Sequence, residues 1–475
     1  KRRMRVSSIL PFSRFWRRRA RAAATALSVA ATVALAPIQA QAQSVIRDTE
    51  IEGILRSWSD PVFTAMGLPP DDVTMLLIDD PSLNAFATVN QTMGLNTGII
   101  LEADSPNELL GVIAHEAGHI RNRHVLRNGA REAGMQPMLV SMALGALAVA
   151  AGAPSAGAAL LGSSGHFGTI GALQYMQSQE GEADLTGARA LDSAGVSAQG
   201  LVDFFEKFRA QEVFSDARRY PYFRSHPLSS QRIENLRRPV AALANHDAAI
   251  PQERVEQLAL IQAKIRGFMD APTQTYRTYT ERDQSLPARY ARTIAWYKDG
   301  QTERALEGVD ALIAEQPENP FFQELKGQIL FEGGRPADAV PFHAQSVALA
   351  PEAPLLRINL AHALIETNDP TRLEEAVTEL KRSLAYENDN PLAWRLMAQA
   401  YGSLGLEGEA RLASAEFYYA MGRQEQATQF ALRARDMLQP GTNAWRRAVD
   451  IVLASGATPE DLQDLDRRQG ARQGG

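Results

Sequence analysis

His115-Glu116-Ala117-Gly118-His119 is the stretch whose residue types and spacing point most directly to chemistry. Two histidines four positions apart fall on one face of a helix, because four residues is just over one turn. Both imidazoles can then bind one Zn²⁺. The glutamate between them sits beside the metal's remaining open position, where it can accept a proton from water. The plain alternative is two surface histidines on an ordinary amphipathic helix.

A catalytic zinc needs a third protein ligand. Asn122 and Val125 exclude the pattern in which a histidine ten residues after the first, with a glycine ahead of it, completes the site. The remaining source is a carboxylate from a later helix. Gln179-Glu180-Gly181-Glu182-Ala183-Asp184 offers candidates about sixty residues downstream. Glu180 and Asp184 are four apart and share a helix face. One can bind the metal while the other accepts the N–H of a liganding histidine. Spacing does not choose between Glu180 and Glu182, and a solvated acidic helix is the plain alternative.

His115-Glu116-Ala117-Gly118-His119-Ile120-Arg121-Asn122-Arg123-His124 resembles the H-E-x-G-H-x-x-x-R-H signature of a zinc peptidase family. That family includes HtpX, the CaaX prenyl proteases and a mitochondrial inner-membrane quality-control protease. Glu180 to Asp184 is similar to its E-x-x-A-D motif. Asn84-Ala85-Phe86-Ala87 and Gly94-Leu95-Asn96-Thr97-Gly98 are similar to its strand segments. Thr88-Val89-Asn90 departs from the family's usual Pro-Gly-Gly, which bears on the local turn. The resemblance spans roughly residues 45–240. It implies a zincin-type α+β domain with a small β-sheet. It further implies one Zn²⁺ per chain on His115, His119 and Glu180, with Glu116 as the catalytic base. In that frame Asp184 orients a ligand imidazole.

Ser225-His226-Pro227-Leu228-Ser229-Ser230-Gln231-Arg232-Ile233 resembles the H-P-x-x-x-x-R-I segment that closes the catalytic domain in this family. His226 can act as a switch that fills the metal's fourth position, or donate a hydrogen bond to the oxyanion. A structural or capping histidine is the plain alternative. His124, His166, His246, His343 and His362 have no comparable context and read as structural or surface residues.

The elements that must position these groups follow from pattern. An amphipathic helix is expected from Ser44 to Gly67 and strands over Val73–Ile78 and Asn84–Leu101, the latter turned or bulged at Gly94 and Gly98. Ser105-Pro106-Asn107-Glu108 is a helix start, and that helix is expected to run to about Asn128. Phe204, Phe205 and Phe208 read as core. Residues 137–171 carry an uncharged, Leu/Ala/Met-rich run followed by a Gly/Ala/Ser-rich one. The apolar part is about seventeen residues and is broken by Gly and Pro, short for a span. It is read as a buried helix or mobile cover over the cleft, with peripheral membrane contact as its other use.

At 475 residues the chain has room for two or three domains. A net charge of −6 with no basic aromatic stripe argues against nucleic acid as a partner, and the absence of cysteine excludes disulfides and thiolate metal sites. Arg17, Arg18, Arg19 and Arg21 precede an apolar run from Ala22 to Ile38, and Ala40-Gln41-Ala42 supplies small residues for cleavage. Residues 1–42 are therefore expected to be a cleaved signal peptide that delivers a chain starting near Gln43 to the bacterial periplasm.

The C-terminal half repeats. Pro317-Glu318-Asn319-Pro320 returns thirty-four residues on as Pro351-Glu352-Ala353-Pro354, and Ala305 returns as Ala339. An insertion near Asn368 shifts the next alanine to Ala376, and Ala410 follows at thirty-four again. That period is the tetratricopeptide one, in which small residues let paired helices approach closely. The expected organisation is a mainly α chain. The peptidase domain covers 43–240, a helical connector 241–284, an α-solenoid of repeats 285–455 and a disordered tail 456–475.

The expected activity is a periplasmic zinc endopeptidase. The strand from Gly94 to Gly98 is expected to bind substrate backbone as an added strand. The resemblance implies misassembled or unfolded outer-membrane proteins as substrates, with the barrel-assembly machinery docking on the repeats. The competing reading is a tetratricopeptide chaperone or scaffold with a latent zinc site. Glu116 argues against it, because a purely structural site needs no base beside an open position.

Overall fold

The computed structural model describes residues 44–88, 90–124, 176–212, 222, 226 and 228–456. The leader expected over 1–42, the apolar stretch 137–171, His166 and the tail past Gly456 lie outside them. Contacts divide the chain into Lys1–Ser44 and Val45–Gly475, and the architecture below belongs to the second unit.

The chain opens with β1 (Ser44–Ile46) and α1 (Thr49–Ala65), which starts where the Asp48 side chain accepts the N–H of Ile51. The expected helix thus begins later than Ser44, behind a short strand. After β2 (Thr74–Asp79), the stretch expected as one long strand divides into β3 (Ala85–Thr88), β4 (Thr92–Asn96) and the helix α2 (Thr97–Glu102). The sheet order is β1-β2-β4-β3. β4 runs parallel to β2, with Thr74 opposite Thr92, and antiparallel to β3, with Ala85 opposite Leu95. Asn90 and Gln91, at φ 61° and 56°, make the hairpin turn without the glycines common there.

Neither Gly94 nor Gly98 is a turn residue. A Cβ on Gly94 would lie 2.3 Å from the Phe86 ring on the neighbouring strand, and one on Gly98 would lie 2.3 Å from the Pro81 carbonyl. Both glycines provide space for a close neighbour rather than backbone freedom.

The helix α3 (Pro106–Arg121) starts as its sequence requires, with Pro106 at the first position and the Ser105 hydroxyl accepting the N–H of Glu108. It stops well short of Asn128. Arg123 takes a left-handed φ of 56°, which ends the helix and turns the chain back on itself. A second helix, α4, is described over 176–193. It packs on α3 through glycine. A Cβ on Gly118 would lie 2.7 Å from the Ala183 carbonyl, and one on Gly187 would lie 2.9 Å from that of Ala114. This close approach brings Glu180 and Asp184 within reach of the α3 histidines.

The helices α5 (Gln199–Glu212) and α6 (Ser230–Ala241) complete the layer, with Phe204, Phe205 and Phe208 buried as expected. Leu258, Ile261 and Ile265 of α7 (Gln252–Met269) join the same hydrophobic core as Trp58 and Phe63. Beyond α7 the described chain is helical. From Leu286 to Ala454 ten helices pair and stack, with Ala305, Ala339 and Ala376 fully buried between them. The insertion near Asn368 is taken up by a short 3-10 turn over Pro370–Arg372.

Buried charge ties the N-terminal helix to the repeats. The Lys264 ammonium lies 2.8 Å from Asp48 and 3.0 Å from Glu50, and the Tyr290 hydroxyl donates to Glu50 at 2.9 Å. Arg47 reaches Glu387 at 2.6 Å. Among the described residues no helix is long and apolar enough to cross a membrane.

Candidate active site

α3 presents His115, Glu116 and His119 toward α4, and all three are buried. Glu180 and Asp184 face them from α4. His226 arrives from a separate segment. Its N–H donates to the Tyr222 carbonyl at 2.8 Å, and its ring stacks on the Tyr222 ring with centroids 4.7 Å apart.

Donor atoms converge. His115 Nε2 lies 3.1 Å from His119 Nε2 and 3.2 Å from His226 Nδ1. Glu180 Oε2 lies 2.9 Å from His226 Nδ1 and 3.4 Å from His115 Nε2, while Oε1 lies 3.5 Å from His119 Nε2. One ligand atom from each of these four buried residues falls within 4.8 Å of the others. His115 Nδ1 lies 2.7 Å from Asp184 Oδ1, so its Nδ1–H points outward and Nε2, a ligand atom once deprotonated, points into the cluster. Lone pairs crowded in this way repel one another unless a cation or a proton lies among them. Three imidazole nitrogens and a carboxylate oxygen make a donor set suited to a tetrahedral divalent metal ion.

The electrostatics agree. Burial alone would lower the His115 pKa, but the Asp184 and Glu180 carboxylates outweigh it and raise it to about 9. His119, pushed down to about 2 by burial and by the charge of His115, stays neutral. Burial opposes ionisation of Glu180, yet hydrogen bonds to His115 and His226 hold its carboxyl well below the usual range. Asp184, equally disfavoured by burial, is held low by Arg232 and His115. Arg232 donates to Asp184 at 2.8 and 2.9 Å, reaches Glu180 at 3.0 Å and lies over the Phe205 ring at 4.7 Å.

Glu116 is the exception to this pairing. Both of its carboxylate oxygens are buried without a hydrogen-bond partner among the described residues. His226 Nε2 is 3.5 Å from one of them. Such a group is costly to fold and is characteristic of catalytic and ligand-binding sites.

His115, Glu116, His119, Glu180, Asp184 and His226 are therefore brought together. Glu182 turns away, its carboxylate 3.2 Å from His124 Nε2. Sequence reasoning missed two residues. His124, read as a structural or surface residue, is buried with its Nδ1 2.9 Å from His119 Nδ1, just past the left-handed Arg123. Arg232 neutralises two carboxylates, a need already implicit in placing Glu180 and Asp184 on one buried face.

The expected substrate strand is corrected. Gly94, Leu95 and Asn96 lie on β4, whose two edges are already taken by β2 and β3, and Thr97 and Gly98 belong to α2. All five are buried. The edge strands among the described residues are β1 and β3. A cavity of about 430 Å³ lies beside β3, lined in part by Asp72, Thr88, Gln91, His119 and Arg123.

Residues 46–240 match the family model for Peptidase family M48, and residues 330–400 match a tetratricopeptide repeat model. The chain is 26% identical over 356 residues to the Beta-barrel assembly-enhancing protease of Yersinia pestis, covering 74% of this chain and 72% of that one. It is 26% identical over 372 residues to the protein of the same name from Escherichia coli strain K12, covering 77% and 75%. Metalloprotease LoiP of the same organism is 34% identical over 166 residues, covering 34% of this chain and 60% of that one.

Proposed function

Because residues 46–240 match the model for Peptidase family M48 and repeats follow them, we propose that this metalloprotease is a zinc endopeptidase. It acts in the bacterial periplasm on unfolded or misassembled outer-membrane proteins. The carrying observation is the fully buried Glu116 carboxylate, without a hydrogen-bond partner among the described residues, beside four converging donors. His115, His119 and Glu180 would hold the metal. A zinc ion held there would supply Lewis-acid chemistry, making water more acidic and polarising the scissile carbonyl.

The chain's own groups do the rest. Glu116 takes a proton from the attacking water and returns it to the leaving amine nitrogen, which balances the hydrolysis. Asp184 keeps the His115 N–H turned outward. Arg232 holds Glu180 and Asp184 ionised and in place. The edge of β3, unpaired among the described residues, can pair with an extended substrate, a mode that selects unfolded chains. The relatives' name and the repeat domain support a role in barrel assembly, with the solenoid as the docking surface for the assembly machinery.

His226 is read as the idling group. Its Nδ1 lies among the donors, so it would serve as an additional metal-holding group in the resting site, one that substrate must replace. Degradation of an unfolded outer-membrane protein by the zinc-loaded chain tests the function, and chelation should abolish it. Under the idling role, His226→Ala speeds degradation severalfold. A slower variant would instead assign His226 to the oxyanion, and an inert wild type would reject the reading.

Metal uptake should depend on pH with a definite sign. His115 in the metal-free protein carries a proton up to about pH 9. That proton must leave for Nε2 to donate, so zinc binds more tightly as pH rises from 6 toward 9. About one proton should be released per zinc at pH 7, measurable by calorimetry in buffers of different ionisation enthalpy. Release of none would contradict a protonated His115.

A further inference from the structure

We propose that His124 and Glu182 form a relay that sets the tautomer and orientation of His119, making them positioning residues for the metal centre. This rests on the peptidase reading above and extends it to residues that the metal would not touch.

The argument is one of donors and acceptors. Arg123, in the left-handed region, turns the chain just past α3 so that His124 folds back against the helix it has left. The His124 ring is buried, edge-on to that of His119, with centroids 5.0 Å apart and planes at 72°. The two Nδ1 atoms are 2.9 Å apart. Two imidazole nitrogens at that distance need one N–H and one lone pair.

The far side of His124 decides which is which. Its Nε2 lies 3.2 Å from Glu182 Oε2, and an ionised carboxylate only accepts. A neutral His124 therefore donates through Nε2, and its Nδ1 keeps the lone pair. His119 must then donate through Nδ1. Its own Nε2 is left with a lone pair that faces His115 and Glu180.

The two α3 ligands are thus oriented by different means. Asp184 holds His115 directly from a buried position. His119 is held through an intervening ring by a carboxylate that is half exposed, with a side chain 53% accessible. The link also crosses between helices, because Glu182 belongs to α4. Asn122 Nδ2 donates to Thr186 Oγ1 at 3.1 Å and anchors the same corner.

The test compares His124→Phe, which keeps the ring but removes the acceptor, with His124→Asn, whose side-chain oxygen can replace Nδ1. Zinc affinity is measured by chelator competition on the whole chain, and ¹⁵N spectra of the metal-free, histidine-labelled protein report the His119 tautomer. Zinc binding should weaken about 10- to 100-fold in His124→Phe and return to within about threefold of wild type in His124→Asn. Wild-type His119 should be protonated at Nδ1, and this preference should be lost in His124→Phe. Where His124→Phe does not fold, Glu182→Ala, at a half-exposed carboxylate, should show a smaller loss in the same direction.

Wild-type affinity in His124→Phe, an Asn variant no better than Phe, or His119 protonated at Nε2 would each overturn the relay. His115→Ala is measured alongside. A wild type that binds zinc no better than His115→Ala rejects the metal reading itself, and the ¹⁵N spectra then decide the relay alone.

Discussion

Glu116→Gln should lower turnover about a thousandfold and leave the metal in place, because a positioned base contributes roughly 10²–10⁴ in rate. The amide matches the carboxylate in shape but cannot take a proton from water. The side chain is fully buried and its oxygens have no hydrogen-bond partner among the described residues, so the described contact that changes on substitution is the 3.5 Å approach of His226 Nε2. Removing an unpaired buried carboxylate should, if anything, stabilise the fold. Steady-state kinetics on an unfolded substrate, with zinc content measured on the same samples, checks both halves. Activity above about a tenth of wild type would remove Glu116 from the role of base.

Arg232→Met should carry the largest stability loss at the site, about 3–5 kcal/mol in the metal-free protein. Arg232 is buried and is the guanidinium that pairs with both Glu180 and Asp184. Methionine keeps much of the packing against Phe205 but strands two buried carboxylates. Zinc carries compensating charge, so the loss should shrink when metal is bound. Urea unfolding with and without zinc measures the difference. A loss below about 1 kcal/mol without metal would show that His115 alone neutralises the pair.

Much of this site was legible before the fold was seen, for local reasons. His115 and His119 share a helix face by spacing, and the start of that helix is written in Ser105, Pro106 and Glu108. Glu180 and Asp184 share a face in the same way. The repeat period placed Ala305 and Ala339 between paired helices, where they lie.

The misreadings are tertiary in origin. Gly94 to Leu101 is a short apolar run, and periodicity cannot separate a strand from a helix there, so the change at Thr97 was hidden. Gly94 and Gly98 looked like turns because their real partners, Phe86 and the Pro81 carbonyl, approach through space. Which strand has a free edge depends on sheet order, and the order β1-β2-β4-β3 puts β4 inside the sheet. His124 and Arg232 had sequence signals, in the R-H and R-I ends of two motifs, but their roles needed the distances.

Zinc content per chain is the most direct test of the central claim, measured on purified wild type beside Glu180→Gln and Glu182→Gln. The site described here predicts one zinc in wild type and in Glu182→Gln, where the amide oxygen can still accept from His124. It predicts that most of the zinc is lost in Glu180→Gln, because Glu180 is the carboxylate among the converging donors. Equal zinc in all three proteins, or loss in Glu182→Gln alone, would contradict it.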